Sequence, residues 1–170
     1  DLQIIEFSDY VLPNLSLDDG SIDANFHQHQ PYLDKIIEDK KLKIESIAKV
    51  HIEPLGFYSK KHKSVDSIKN GATIAIPNDP SNGGRALILL HNNGIIKLKD
   101  ANTLYATELD IIENPKNIKI KQVEAAILPK VFGDLDGAII NGNYALQAKL
   151  STKDAVFLED SRSPYANILV

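Results

Sequence analysis

The residues best suited to chemistry lie in two short stretches of the chain. In Asp23-Ala-Asn-Phe-His-Gln-His-Gln-Pro-Tyr-Leu-Asp34, His27 and His29 stand two apart, so an extended strand would turn both imidazoles to the same side. Such a pair suits zinc, which in catalytic sites takes three protein ligands. A third ligand would have to come from Asp9, Asp23 or His51, none of which the spacing singles out, and the result would be a metal-dependent hydrolase. Alternatively Tyr10, His27, His29 and Tyr32 form the wall of a mostly apolar pocket for a small ligand. A third reading has these rings filling gaps in a core. Histidine and tyrosine need hydrogen-bond partners when buried, so four of them near two short loops fit a half-wet cleft better.

The second stretch is Ile76-Pro-Asn-Asp-Pro-Ser-Asn-Gly-Gly-Arg-Ala-Leu-Ile-Leu-Leu90. It reads as the end of a strand, a polar turn and a helix that Asn78, Asp79 or Ser81 can cap, with Pro80 at the first helical position. Gly83 and Gly84 give up about 1 kcal/mol each of helix propensity relative to alanine, so close approach of another group must offset them. Free N–H groups at a helix start attract an anion, and a guanidinium grips a carboxylate with two parallel hydrogen bonds. Arg85 is thus a candidate carboxylate clamp, set against the plainer reading of a solvated or salt-bridged helix arginine. The Gly-Lys-Ser/Thr end of a phosphate loop is missing.

The elements that must hold these residues are strands at 2–7, 24–28, 43–52, 55–59, 72–76, 108–113, 118–124 and 136–140, and helices at 31–41, 80–93, 125–132 and 143–150. Their alternation predicts an α/β protein with βαβ units and a mainly parallel sheet. Two stretches, His51 to Phe57 and the turn at Asn141-Gly142-Asn143, read as crossings between lobes. They divide the chain into a discontinuous lobe, 1–52 with 140–170, and a second lobe, 53–139, with a ligand cleft expected where the two meet.

Composition narrows the classes of partner. The chain of 170 residues carries 19 basic and 23 acidic side chains, a net charge of −4, with 6 % aromatic residues. A nucleic-acid binder's basic face is missing, so DNA and RNA are not expected partners. No apolar run approaches the roughly 20 residues needed to cross a bilayer. Cysteine is absent, which removes thiolate nucleophiles and disulfides. No Ser-His-Asp order, nucleophile elbow or dinucleotide glycine pattern supports other catalysis. Since Leu2 to Phe7 opens in mid-pattern, the chain reads as a fragment.

Six motifs in order carry a family resemblance: Phe7-Ser8-Asp9-Tyr10-Val11-Leu12-Pro13-Asn14; Asp23-Ala24-Asn25 with Gln28-His29-Gln30-Pro31-Tyr32-Leu33; Glu53-Pro54-Leu55-Gly56-Phe57-Tyr58-Ser59; Ile76 to Asn82 with Gly84-Arg85-Ala86-Leu87; Ile140-Asn141-Gly142-Asn143-Tyr144-Ala145; and Ser163-Pro164-Tyr165-Ala166-Asn167. Together they resemble the NlpA family, the substrate-binding lipoproteins of methionine ABC importers.

The resemblance implies a two-lobed periplasmic-binding-protein fold of the second type, with elements missing at both ends, and no catalysis, cofactor or metal. It implies a ligand such as L-methionine, a related amino acid or a methionine-containing dipeptide. The partner would be an importer's permease and ATPase complex, and the location the cell envelope, periplasmic or held outside the cytoplasm by a lipid anchor that this chain lacks. By position, Tyr10, His29 and Tyr32 would line the side-chain end of the pocket, Arg85 would hold the α-carboxylate, and Asn141 and Asn167 would supply amides to the ligand's polar end. Many family members have phenylalanine where His27 stands, so this wall is expected to be more polar. The remaining alternative class is a surface interaction protein or antigen with no small ligand.

Overall fold

The computed structural model describes residues 1–160 and 163–170. The chain forms two compact units, Asp1–Ile52 with Pro164–Val170, and Glu53–Ser163.

The first unit contains α1 (Leu12–Asp18), β1 (Phe26–His29), α2 (Gln30–Lys40), β2 (Ala48–Ile52) and the last strand of the chain. That strand, Ala166–Leu169, lies between β1 and β2 and runs antiparallel to both, pairing His29 with Asn167 and Asn167 with His51. Leu33, Ile36 and Tyr32 on α2 pack with Ile168 and Val170 into a small core of their own. Pro31 sits in the first turn of α2, and left-handed Lys41 ends the helix. A knot of buried amides ties α1 to β1 and the residue before it. Asn14 Nδ2 donates to Gln28 Oε1 at 2.8 Å, Gln28 Nε2 donates back to Asn14 Oδ1 at 2.6 Å, and Asn25 Nδ2 donates to the same Oδ1 at 2.9 Å.

In the second unit follow β3 (Gly56–Tyr58), β4 (Thr73–Pro77), α3 (Pro80–Asn92), β5 (Lys97–Leu98), β6 (Ile111–Glu113), β7 (Lys119–Val123), α4 (Leu128–Val131), β8 (Gly137–Ile140), α5 (Gly142–Gln147) and β9 (Phe157–Leu158). The final strand of the first unit is β10. A sheet in the order β7, β4, β8, β3, β9 carries the larger core. Leu55, Phe57, Ile74, Ile76, Leu87, Leu90, Ile95 and Ile139 are buried there with almost no exposed surface.

Several expectations need correction. The sheets are not mainly parallel: β4 runs parallel to β7 and β8, but β3 is antiparallel to β8 and β9, and the first unit's sheet is antiparallel throughout. Residues 2–7 form no strand. Leu2 and Ile4 are 90 % and 78 % exposed, and a strand pattern stays unused where, among the described residues, no ladder partner takes up its backbone groups. The segment 108–113 is a strand only from Ile111, because Thr107 and Asp110 form a capping box over a short 3-10 turn.

The expected return to the first lobe at residue 140 also fails. Asn141 to Asn143 begins α5, and the chain then stays in the second unit because β9 pairs with β3, Gly56 opposite Leu158 and Phe57 opposite Phe157. Backbone bonds of 2.8 Å from Val156 to Phe57 and from Glu159 to Leu55 fix that pairing. The boundary lies instead at Ser163 and Pro164.

Candidate functional site

The first unit gathers rings. Tyr10 stands in the bend before α1, where Asp9 Oδ1 accepts from the N–H groups of Val11 and Leu12 at 2.7 and 2.9 Å. Its ring centroid is 6.0 Å from His27 and 5.9 Å from Tyr32, and His27 lies 6.3 Å from Tyr32 with nearly perpendicular planes. The Tyr32 hydroxyl donates to the Tyr10 carbonyl at 2.9 Å, which closes this triangle from behind.

His29 reaches the same cluster, 6.3 Å from Tyr32 and 5.0 Å from Tyr165, yet it also has a structural duty. It is the N-cap of α2, and its Nδ1 accepts from the Tyr32 N–H at 3.2 Å. The two histidines that the spacing made alike therefore differ. Asn167 is buried on β10 in the same unit. Sequence reasoning missed Tyr165, although it lies in one of the quoted motifs. Its edge-on contact with His29 depends on β10 lying beside β1, a long-range pairing.

His27 lacks any comparable duty. Both of its ring nitrogens are buried with no hydrogen-bond partner among the described residues. Desolvation lowers its pKa from 6.5 to about 4, against a weaker upward pull from Asp9, so the ring is neutral at ordinary pH. Among the described residues no three His, Asp or Glu side chains stand close enough to share an ion, so the hydrolase site sketched from His27, His29 and an aspartate does not assemble.

The second unit gathers charge and amides at the start of α3. Asp79 caps that helix, accepting from the Asn82 N–H at 2.8 Å. Burial pushes its carboxyl up from the usual range, a shift opposed by the Asn82 hydrogen bonds and the Arg85 charge. Gly84 is explained without an anion. A Cβ on Gly84 would stand 2.6 Å from the Leu104 carbonyl and 2.8 Å from the Ala106 nitrogen, so the helix packs directly on a backbone that only glycine admits.

Arg85 is buried, and its carboxylate partner is internal. Nε donates to Glu159 Oε1 at 2.9 Å, Nη2 pairs with Glu159 Oε2, and Nη2 also donates to the Glu53 carbonyl at 2.9 Å. This is the side-on fork that a bidentate carboxylate uses. Glu159 was not foreseen, since it sits 74 residues from Arg85 and no local pattern marks it. Nearby, Asn141 Nδ2 donates to Asn82 Oδ1 at 2.9 Å. Asn141 Oδ1 and the Ser81 hydroxyl are buried with no partner among the described residues.

By its likeness to solved structures this α/β chain of two compact units has the fold of periplasmic substrate-binding proteins. A nutrient binding protein from Burkholderia cenocepacia, whose structure is described as bound to methionine, is 52 % identical, with a TM-score of 0.94 over 98 % of this chain and 71 % of that one. Immunogenic lipoprotein A from Vibrio vulnificus matches with a TM-score of 0.97 and 47 % identity, over 99 % of this chain and 74 % of that one. The profile of the NlpA lipoprotein family matches residues 1–170, and the chain belongs to that family. Among curated relatives, the probable D-methionine-binding lipoprotein MetQ of Pasteurella multocida (strain Pm70) is 48 % identical over 171 residues, and the D-methionine-binding lipoprotein MetQ of Salmonella typhi 50 % over 173. Each match covers all of this chain, which spans 62 % and 64 % of those two proteins.

Proposed function

We propose that this chain acts in an extracytoplasmic receptor that delivers methionine, or a closely related amino acid, to an ABC importer. The observation that carries this reading is the close likeness, in sequence and fold, to the Burkholderia protein described as bound to methionine. The reading contains no catalytic step and no cofactor. Its partners are the importer's permease and ATPase, and its place is the cell envelope, outside the cytoplasm. A lipid anchor belongs to the same reading.

Each unit offers groups that suit one part of an amino acid. In the first unit, the rings of Tyr10, His27, His29 and Tyr32 suit a thioether side chain, which packs well against aromatic edges, and Asn167 in the same unit supplies an amide for the ligand's polar end. In the second unit, the Arg85 guanidinium, itself held by Glu159 and the Glu53 carbonyl, supplies positive charge suited to an α-carboxylate. Its pair with Glu159 is neutral overall, so adding a carboxylate alone would leave an uncompensated charge. A zwitterion avoids that, because its ammonium can turn to Glu159 and to the unsatisfied Asn141 Oδ1. The pair therefore favours amino acids over plain carboxylic acids.

Two measurements test this. Purified protein is denatured and the released small molecules are identified by mass spectrometry, and L- and D-methionine are titrated calorimetrically against the stripped protein. A methionine-type amino acid released at close to one per chain, with saturable heat on its return, is expected. In the same assay, replacing the α-amino group with hydrogen should abolish binding. No released amino acid and no heat with either enantiomer would sink the reading.

A further inference from the structure

We propose that His27 reads the ligand's side chain by a hydrogen bond, so that the first unit accepts α-amino acids with an uncharged heteroatom in the side chain and discriminates against their hydrocarbon isosteres. This rests on the receptor reading above and deepens it.

The argument starts from the neighbours of His27. The Tyr32 hydroxyl is used on the Tyr10 carbonyl, His29 Nδ1 on the start of α2, and Asp9 Oδ1 on the Val11 and Leu12 N–H groups. The ring itself is held by contact alone, 6.0 Å from Tyr10 at a tilt of 31° and 6.3 Å from Tyr32 at 78°. Its two buried nitrogens meet no donor or acceptor among the described residues. If the site needed only an apolar surface there, a phenyl ring would supply it without a desolvation penalty. An imidazole in that position makes sense when the occupant brings the missing partner.

The chemistry of the ring then selects the class. A neutral imidazole offers one N–H donor and one lone pair. It supplies no charge to an anionic side chain, which would have to shed its water without compensation. A sulfoxide or carboxamide oxygen is a good acceptor for the N–H, a thioether sulfur a weak one, and a methylene none at all. A site that hydrogen-bonds its ligand discriminates sharply against an analogue lacking the group, because the protein's own polar atom is then left unmet. The order of affinity set by His27 is therefore sulfoxide, then thioether, then methylene, the last two at nearly constant shape and the first with one added oxygen.

Calorimetric titration of the wild-type protein and of His27→Phe with L-methionine sulfoxide, L-methionine and L-norleucine tests this. The wild type should favour the sulfoxide over norleucine, and the phenylalanine variant should move that ratio by about tenfold toward norleucine, the factor that one neutral hydrogen bond commonly carries. His27→Gln, which keeps a side-chain donor, should retain most of the preference. Nitrogen-15 histidine spectra of the wild type give a reading that does not depend on either variant folding: saturating methionine sulfoxide should shift a ring nitrogen of His27, whereas norleucine should not. Equal ratios in wild type and His27→Phe, or His27 resonances that ignore the sulfoxide, overturn the proposal while methionine binding stands. Failure of the wild type to bind any of the three removes the receptor reading and this proposal with it.

Discussion

Arg85 in the second unit is buried with its fork closed on Glu159 and a further bond to the Glu53 carbonyl, all within the same unit. His27 in the first unit is covered by rings and meets no polar partner among the described residues. The contrast is not between a polar unit and an apolar one, since the first also holds the satisfied amide knot of Asn14, Asn25 and Gln28. It lies in where hydrogen-bonding capacity is left over. The second unit keeps its strongest charge neutral and offers two quiet acceptors, Asn141 Oδ1 and the Ser81 hydroxyl. The first unit leaves a whole imidazole unspent. Buried polar groups that a fold needs for itself are normally paired, so the leftover ones are the better guide to what the surface receives.

The largest expected effect breaks the second unit's half of this contrast. Glu159→Ala strips the carboxylate from a buried guanidinium and should cost about 3–5 kcal/mol of stability, read as a lower denaturant midpoint. Replacing both partners with apolar side chains of similar volume, Arg85→Met with Glu159→Leu, should recover most of that loss while abolishing amino-acid binding. A stability change below about 1 kcal/mol for Glu159→Ala would show that the pair behaves as a solvated surface contact.

A somewhat smaller effect sharpens the first unit's half. Because the folded-state pKa of His27 lies near 4 against an ordinary 6.5, folded and unfolded chains both carry it neutral above about pH 6.5. As the pH falls from 6.5 toward 4, the unfolded chain takes up a proton that the folded chain refuses, so stability declines across that window and this contribution levels off below it. The full loss is roughly 2–3 kcal/mol. His27→Phe should flatten the decline between pH 6.5 and 4 by that amount in equilibrium unfolding. An identical pH profile for the variant would mean that the ring is hydrated and titrates normally.

These residues also show how far the sequence could be read. Helices α2 and α3 were visible because proline, cap and apolar face lie within one window: Pro31 and Pro80 stand at the starts, and Leu33, Ile36, Leu87 and Leu90 repeat at helical spacing. The ring cluster was visible in part, since His27, His29 and Tyr32 are neighbours in the chain. What escaped depends on distant pairing. Strand β10 has only four residues and acquires its meaning from β1 and β2 on either side of it. Strand β9 has two, and its antiparallel pairing with β3 is what keeps 141–160 in the second unit. The same pairing delivers Glu159 to Arg85, so the missed boundary and the missed ion pair share one cause. Gly84 shows the reverse error: the glycine signal for close approach was sound, but the approaching group is the 104–106 backbone.

The smallest expected effect separates capping from recognition in the two units. His29 and Asp79 both start a helix and both accept from the N–H three residues on, at 3.2 and 2.8 Å. Asp79 also accepts from Asn82 Nδ2 at 3.1 Å, and Asn82 in turn receives Asn141, so this cap continues into the amide group assigned to the ligand. His29 instead continues into rings, through Tyr32 and Tyr165. Removing either cap costs about 1 kcal/mol of stability, and asparagine, a good N-cap, should restore it in both places. Binding should then part the two: Asp79→Asn keeps an acceptor for Asn82 and should leave affinity nearly unchanged, whereas His29→Asn loses the ring edge and should weaken methionine by a few-fold even with its helix intact. If His29→Asn binds like the wild type, His29 belongs to the fold alone, and the first unit's recognition reduces to Tyr10, His27 and Tyr32.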